Sequence, residues 1–137
     1  MAAQILWIIA SSVYIFLATM HFLYTFFTNK FDARDSHTTE MMKKSHPVLT
    51  HRTTMWSAWI GFNGSHSAGG IFLGAVNIIL AIFYFDFLTA ALPLIILTDI
   101  TSLFLLFLGI KYWFNIPLRG IAIATICYIA ATIIILV

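Results

Sequence analysis

Residues 56–84 read WSAWIGFNGSHSAGGIFLGAVNIILAIFY, with no Asp, Glu, Lys or Arg anywhere in the run. A membrane-spanning helix needs about 20 predominantly apolar residues, and this stretch is long enough to provide one. Its middle, GFNGSHSAGG at 61–70, carries an Asn, two Ser and a His. Such groups are costly in hydrocarbon unless each finds a partner, so the same segment that sets the fold class also raises the question of function.

Working outward, three further apolar runs fit the same length, at about residues 4–28, 88–110 (starting at Leu88 or Leu92) and 116–137. Pro93 and Pro117 suit first-turn positions of the third and fourth, where the missing N–H costs nothing. The composition agrees. The 137 residues are 61% hydrophobic and only 9% charged, with mean hydropathy +0.98, whereas a soluble domain carries roughly a quarter charged residues. The expected fold is therefore an all-α four-transmembrane-helix bundle, a single integral membrane domain over 1–137. It has a short outer turn (FDFLTAA, 85–91), one longer loop between the first two spans, and the brief KYWFN link between the last two. The N-terminal run lacks preceding Lys or Arg and a small-residue cleavage pattern, so it is expected to be a retained span rather than a signal peptide.

Charge gives orientation. Lys30, Arg34, Lys43, Lys44 and Arg52 lie in the first loop and Lys111 and Arg119 around the last link, while the outer turn offers only Asp86. The positive-inside rule then puts both loops in the cytoplasm and both termini on the non-cytoplasmic side. Trp56, Trp59, Tyr112 and Trp113 are expected at the cytoplasmic interface and Trp7 at the other. The net charge of +2 implies no nucleic acid. Lys30, Arg34, Lys43, Lys44 and Arg52 suit lipid headgroups or a partner protein, or form a solvated connector. His37, His46 and His51 in that loop match no ligand spacing. Cys127 is the sole cysteine, which excludes an intrachain disulfide and a Cys-based zinc motif.

The intramembrane polar residues fall at similar heights. At about 1.5 Å per residue from the cytoplasmic ends, His21, His66, Asp99 and Tyr128 lie about 12, 15, 18 and 14 Å deep. Asn63, His66, Gly70 and Asn77 share one helical stripe, as do Tyr14, His21, Thr25 and Thr28; Asp99 has Ser102 three residues on. His21, Asn63, His66, Asp99 and Tyr128 are thus expected to form one polar layer facing the bundle interior. Asp99 would be protonated or paired with a histidine, since a charged side chain at a helix centre costs about 2.5–3.5 kcal/mol even on insertion scales. Gly61, Gly64, Gly69, Gly70 and Gly74 are read as helix-packing residues, Ser65-x-x-x-Gly69 and Gly70-x-x-x-Gly74 being small-xxx-small pairs.

Four functions suit such a layer. It satisfies itself and fixes the register of an accessory or structural subunit of a larger membrane assembly. It moves protons or ions, or performs acid–base chemistry on a lipophilic small molecule, at His21, His66 and Asp99. His21 and His66 are axial ligands of a b-type haem. Or two His and a carboxylate hold a non-haem metal. No cofactor is required by any motif. No phosphate-cradling loop and no Ser-His-Asp or Cys-His arrangement is present, which leans against an enzyme. Membrane lipids and other membrane subunits, or a second copy of the chain, are the expected partners.

The motifs MHFLYTFFTNKFDARD and TTMWSAWIGFNGSHSAGG, with His21, Arg52, Trp56, Gly61 and Phe62, resemble an uncharacterised family of small four-span bacterial membrane proteins. The resemblance covers roughly residues 20–75 in its motifs and the whole chain in layout. It implies the four-span architecture and a bacterial cytoplasmic membrane, draws attention to His21, Arg52, Trp56, Asn63 and His66, and transfers no reaction.

Overall fold

The computed structural model describes all residues, Met1 to Val137, and is all-α. Its elements are α1 (Ala2–Phe27), α2 (Ser36–Lys44), α3 (Met55–Phe83), α4 (Phe85–Ala90), α5 (Leu92–Tyr112) and α6 (Asn115–Leu136). Helices α1, α3, α5 and α6 are long and apolar enough to cross a membrane, and the chain is an integral membrane protein. Two elements depart from the sequence reading. The nine-residue α2 lies in what was expected to be a plain loop, and the short α4 stands in the outer turn, so that of the two expected starts of the third span, Leu88 and Leu92, the later one is observed. The break has a local cause. Pro93 lacks an N–H, and its ring would collide with the carbonyl four residues back if the helix ran through; Ala91, at φ −92° and ψ 63°, leaves helical geometry instead.

The chain divides into two compact units, Met1–Leu17 with Gly70–Val137, and Ala18–Gly69. The first contains parts of all four long helices around one core. Ala3, Trp7, Ala10 and Tyr14 of α1 join Ala81 of α3, Leu88 of α4, Ile95 of α5, and Ile121, Ala124, Tyr128 and Ala131 of α6. Small residues set the spacing. A Cβ built on Gly74 would lie 2.8 Å from the Ser11 carbonyl oxygen and 3.0 Å from the Ile15 nitrogen, so the backbones of α1 and α3 approach at a distance only glycine allows. Trp7, expected at an interface, is fully buried in this core. Its indole N–H is why: it donates to Asn77 Oδ1 at 2.9 Å, which removes the need for the wet interface that usually serves a tryptophan.

The second unit holds the end of α1, α2 and the start of α3. Asp35 caps α2, accepting the His37 N–H at 3.0 Å and the Thr38 hydroxyl at 3.1 Å, and Lys43 and Lys44 occupy its last turn, where positive charge complements the helix dipole. Thr54 caps α3 by accepting the Ser57 N–H at 3.1 Å. Gly64 admits the Phe26 ring: an added Cβ would lie 2.9 Å from its Cζ.

Candidate functional site

In the first unit the buried polar side chains form closed strings. Asn77 Nδ2 donates to the Leu73 carbonyl at 2.9 Å, which turns its Oδ1 outward to accept from Trp7 and, at 3.3 Å, from the Thr98 hydroxyl. Each hydroxyl has one proton to give, and this fixes direction in the rest. Thr125 spends its proton on the Ile121 carbonyl at 2.8 Å; Ser102 therefore donates to Thr125 at 2.8 Å and Tyr14 to Ser102 at 2.8 Å. Likewise Ser11 donates to the Trp7 carbonyl at 2.7 Å, so Tyr128 donates to Ser11 at 3.0 Å. Both strings end on backbone carbonyls, which cannot pass a proton on. The Tyr128 ring packs edge-on against Trp7, with centroids 4.8 Å apart.

Asp99 is different. It is 9% exposed; its Oδ2 accepts from the Thr132 hydroxyl at 2.8 Å, while Oδ1 is buried without a hydrogen-bond partner. The Thr132 contact ties α5 to α6.

In the second unit, Asn63 Nδ2 donates to the Trp59 carbonyl at 2.8 Å, so its Oδ1 is the atom that meets His21 Nε2 at 2.8 Å. An amide oxygen only accepts, hence Nε2 carries the proton. The His21 ring also meets His66 edge-on, with centroids 5.1 Å apart and planes at 71°, and Phe31 at 4.5 Å. Ser67 donates back to the Asn63 carbonyl at 2.9 Å. His21 and Asn63 are half-buried, but His66 is exposed rather than turned inward. The pair does not suit a b-type haem as it stands. The two rings touch, leaving no slot for a macrocycle, and His21 Nε2, the atom an axial ligand would offer to iron, is committed to Asn63. No group of three or more His, Cys, Asp or Glu side chains is gathered in one place.

The glycines of GFNGSHSAGG divide between two faces of α3. Gly64 packs on Phe26 and Gly70 is half-buried, but a Cβ at Gly61 or Gly69 would meet nothing within 4 Å beyond its own helix. These two, read as helix-packing residues, form with Ser65 and Ala68 an exposed strip at i, i+4, i+7 and i+8, one helical face. Lys30, Arg34, Lys43, Lys44 and Arg52 are all exposed. Lys30, Arg34 and Lys43 line a shallow groove together with Asp32 and Glu40, and Lys43 pairs with Glu40 at 2.9 Å, so the groove is of mixed sign. Lys30 sits over the Tyr24 ring at 4.2 Å.

Sequence spacing missed several participants. Trp7, Ser11, Thr125 and Thr132 give no signal among so many apolar neighbours, although each lies a multiple of three or four residues from a polar residue on its own helix. His46 and His51, whose spacing matches no ligand motif, meet with ring centroids 5.6 Å apart.

No family model, curated protein or solved structure matches the chain.

Proposed function

We propose that this integral membrane protein is a structural or accessory subunit, and that the Gly61–Ser65–Ala68–Gly69 face of α3, edged by His66, docks against a transmembrane helix of another membrane protein. The observation that supports it is the contrast between two sets of polar and small residues. Apart from Asp99 Oδ1, those in the first unit are consumed by one another and by carbonyl acceptors, a pattern suited to fixing helix register. Those on the α3 strip are small and exposed, and the one hydroxyl among them, that of Ser65, donates only to the Phe62 carbonyl of its own helix at 2.9 Å. A neighbouring backbone approaches closely over such residues, and Ser65 and His66 would otherwise face lipid. Photo-cross-linking tests it. Benzoylphenylalanine in place of Ser65, expressed in native membranes, is expected to yield one adduct with a protein of defined mass. The same probe at Ile126, an exposed apolar position of α6, is expected to yield none. Absence of any protein adduct at Ser65 contradicts the proposal; an adduct of twice the chain mass makes the partner a second copy.

A second reading rests on Asp99. An unpartnered carboxylate oxygen buried in a spanning helix is a functional hypothesis by default, and here it suits a bound proton or small cation.

A further inference from the structure

The loop from Ser45 to Thr54 is tied at its neck. The Met55 N–H donates to the Ser45 carbonyl at 2.9 Å, and the Thr50 N–H to the Pro47 carbonyl at 3.2 Å. His46 Nδ1 lies 2.8 Å from the Thr53 carbonyl. A carbonyl only accepts, so Nδ1 bears the proton and the lone pair of His46 is on Nε2. This is the arrangement by which metal-binding imidazoles are held in one tautomer and one orientation, the ring N–H given to a backbone carbonyl and the other nitrogen left for the ion. The second imidazole is already in place: His51 meets His46 with centroids 5.6 Å apart and ring planes at 65°. With metal–nitrogen bonds of about 2.0–2.1 Å, two imidazoles on one tetrahedral ion hold their centroids about 5–5.5 Å apart, so the ring spacing is close to what a shared ion needs, and rotation of the two exposed rings would aim their lone pairs at it. Both side chains are exposed, and the ion reaches them without unfolding.

We propose that His46 and His51 form a two-imidazole binding site for a divalent transition-metal cation, Cu2+ or Zn2+, across the neck of the α2–α3 loop. Imidazole selects these ions over Mg2+ and Ca2+, which want oxygen ligands. Solvent completes the coordination. The neighbouring Lys43, Lys44 and Arg52 add like charge, which holds affinity down and makes the imidazoles the whole of the attraction. A bound ion would cross-link positions 46 and 51 and stiffen the turn that presents Val48 and Leu49, 107% and 94% exposed.

The test is titration of the full-length chain in detergent with CuCl2, ZnCl2 and MgCl2, followed by calorimetry and, for Cu2+, by electron paramagnetic resonance. One ion per chain is expected at this site, Cu2+ tighter than Zn2+ in keeping with the general order, with no Mg2+ binding. Losing a ligand should cost at least what losing an outer-shell partner costs, so His46→Ala and His51→Ala should each weaken Zn2+ by about tenfold or more. Each should also reduce the nitrogen count in the Cu2+ spectrum from two to one. His66→Ala should leave the affinity as it was. The melting temperature of the metal-free variants should match wild type, because both residues lie on the surface. Unchanged affinity in either loop variant, loss of binding in His66→Ala, or equal binding of Mg2+ overturns the proposal.

Discussion

Asp99 shows most sharply what one residue contributes. It is the only charged side chain in the body of α5 before Lys111, and its two oxygens have different fates. One is held by Thr132 and the other is buried without a partner. Removing a partner from a buried polar group costs about 1–3 kcal/mol, so a purely structural site would be expected to satisfy both. The second reading of function predicts that a membrane-permeant carbodiimide modifies a carboxyl within the span and that Asp99→Asn abolishes the modification; labelling that persists in the variant, or none in wild type, counts against it. Asp99 is legible in the sequence as an anomaly because a charge stands out among Leu and Ile. Its partner Thr132 is not, since a Thr in IAATIIIL satisfies its own helix as readily as a neighbour. Trp7 gives no sign of its partner for a related reason. A tryptophan near a helix end is ordinarily an interface marker, and only the position of Asn77, seventy residues away, makes it a core residue.

At the scale of the element, α3 carries most of the information. Its Asn63, Gly74 and Asn77 meet other helices, while Gly61, Ser65, Ala68 and Gly69 lie exposed, the Ser65 hydroxyl donating only to the Phe62 carbonyl of its own helix. The sequence shows the small residues but not which face is spoken for, because glycines at steps of four supply no side chain by which to tell a buried face from a bare one. Gly74→Ala is the test of the engaged face. Its methyl would meet the Ser11 backbone carbonyl at 2.8 Å, and overpacking of this kind costs about 1–3 kcal/mol. In Gly120→Ala the close contact, 2.6 Å, is to the Cδ1 end of the Leu17 side chain, which is free to turn aside. Unfolding in a denaturing-detergent titration is therefore expected to show the larger loss for Gly74→Ala; equal losses would mean that α1 and α3 are not in backbone contact there. The short α2 is easily passed over in the sequence, though its signals are present: Asp35 as a cap, and Lys43 with Lys44 in the last turn. Capping chemistry in a polar loop is readily taken for solvation. Lys43 donates a hydrogen bond to Glu40 and adds its charge, holding that carboxyl below the usual value.

For the whole molecule, four long apolar runs and a charge bias are sufficient to give the fold class and an expected orientation, because lipid leaves helices as the main solution for such segments. They are not sufficient to say which polar groups meet. Depth counts put His21, His66, Asp99 and Tyr128 at like heights, but height is one coordinate of three. The structure groups His21 with Asn63 and His66, Asp99 with Thr132, and Tyr128 with Ser11. The first unit of the chain thus satisfies its buried side-chain polar atoms save Asp99 Oδ1, while the α3 strip stays exposed. The most direct measurement of that claim is the Gly61→Leu, Gly69→Leu double variant, assayed for both complex size in mild detergent and melting temperature. Because nothing beyond the adjoining helical backbone lies within 4 Å of a Cβ at either position, the account predicts an unchanged melting temperature of the isolated chain together with loss of the native-size complex. A complex that survives both leucines, or a wild-type chain that migrates alone, would contradict it.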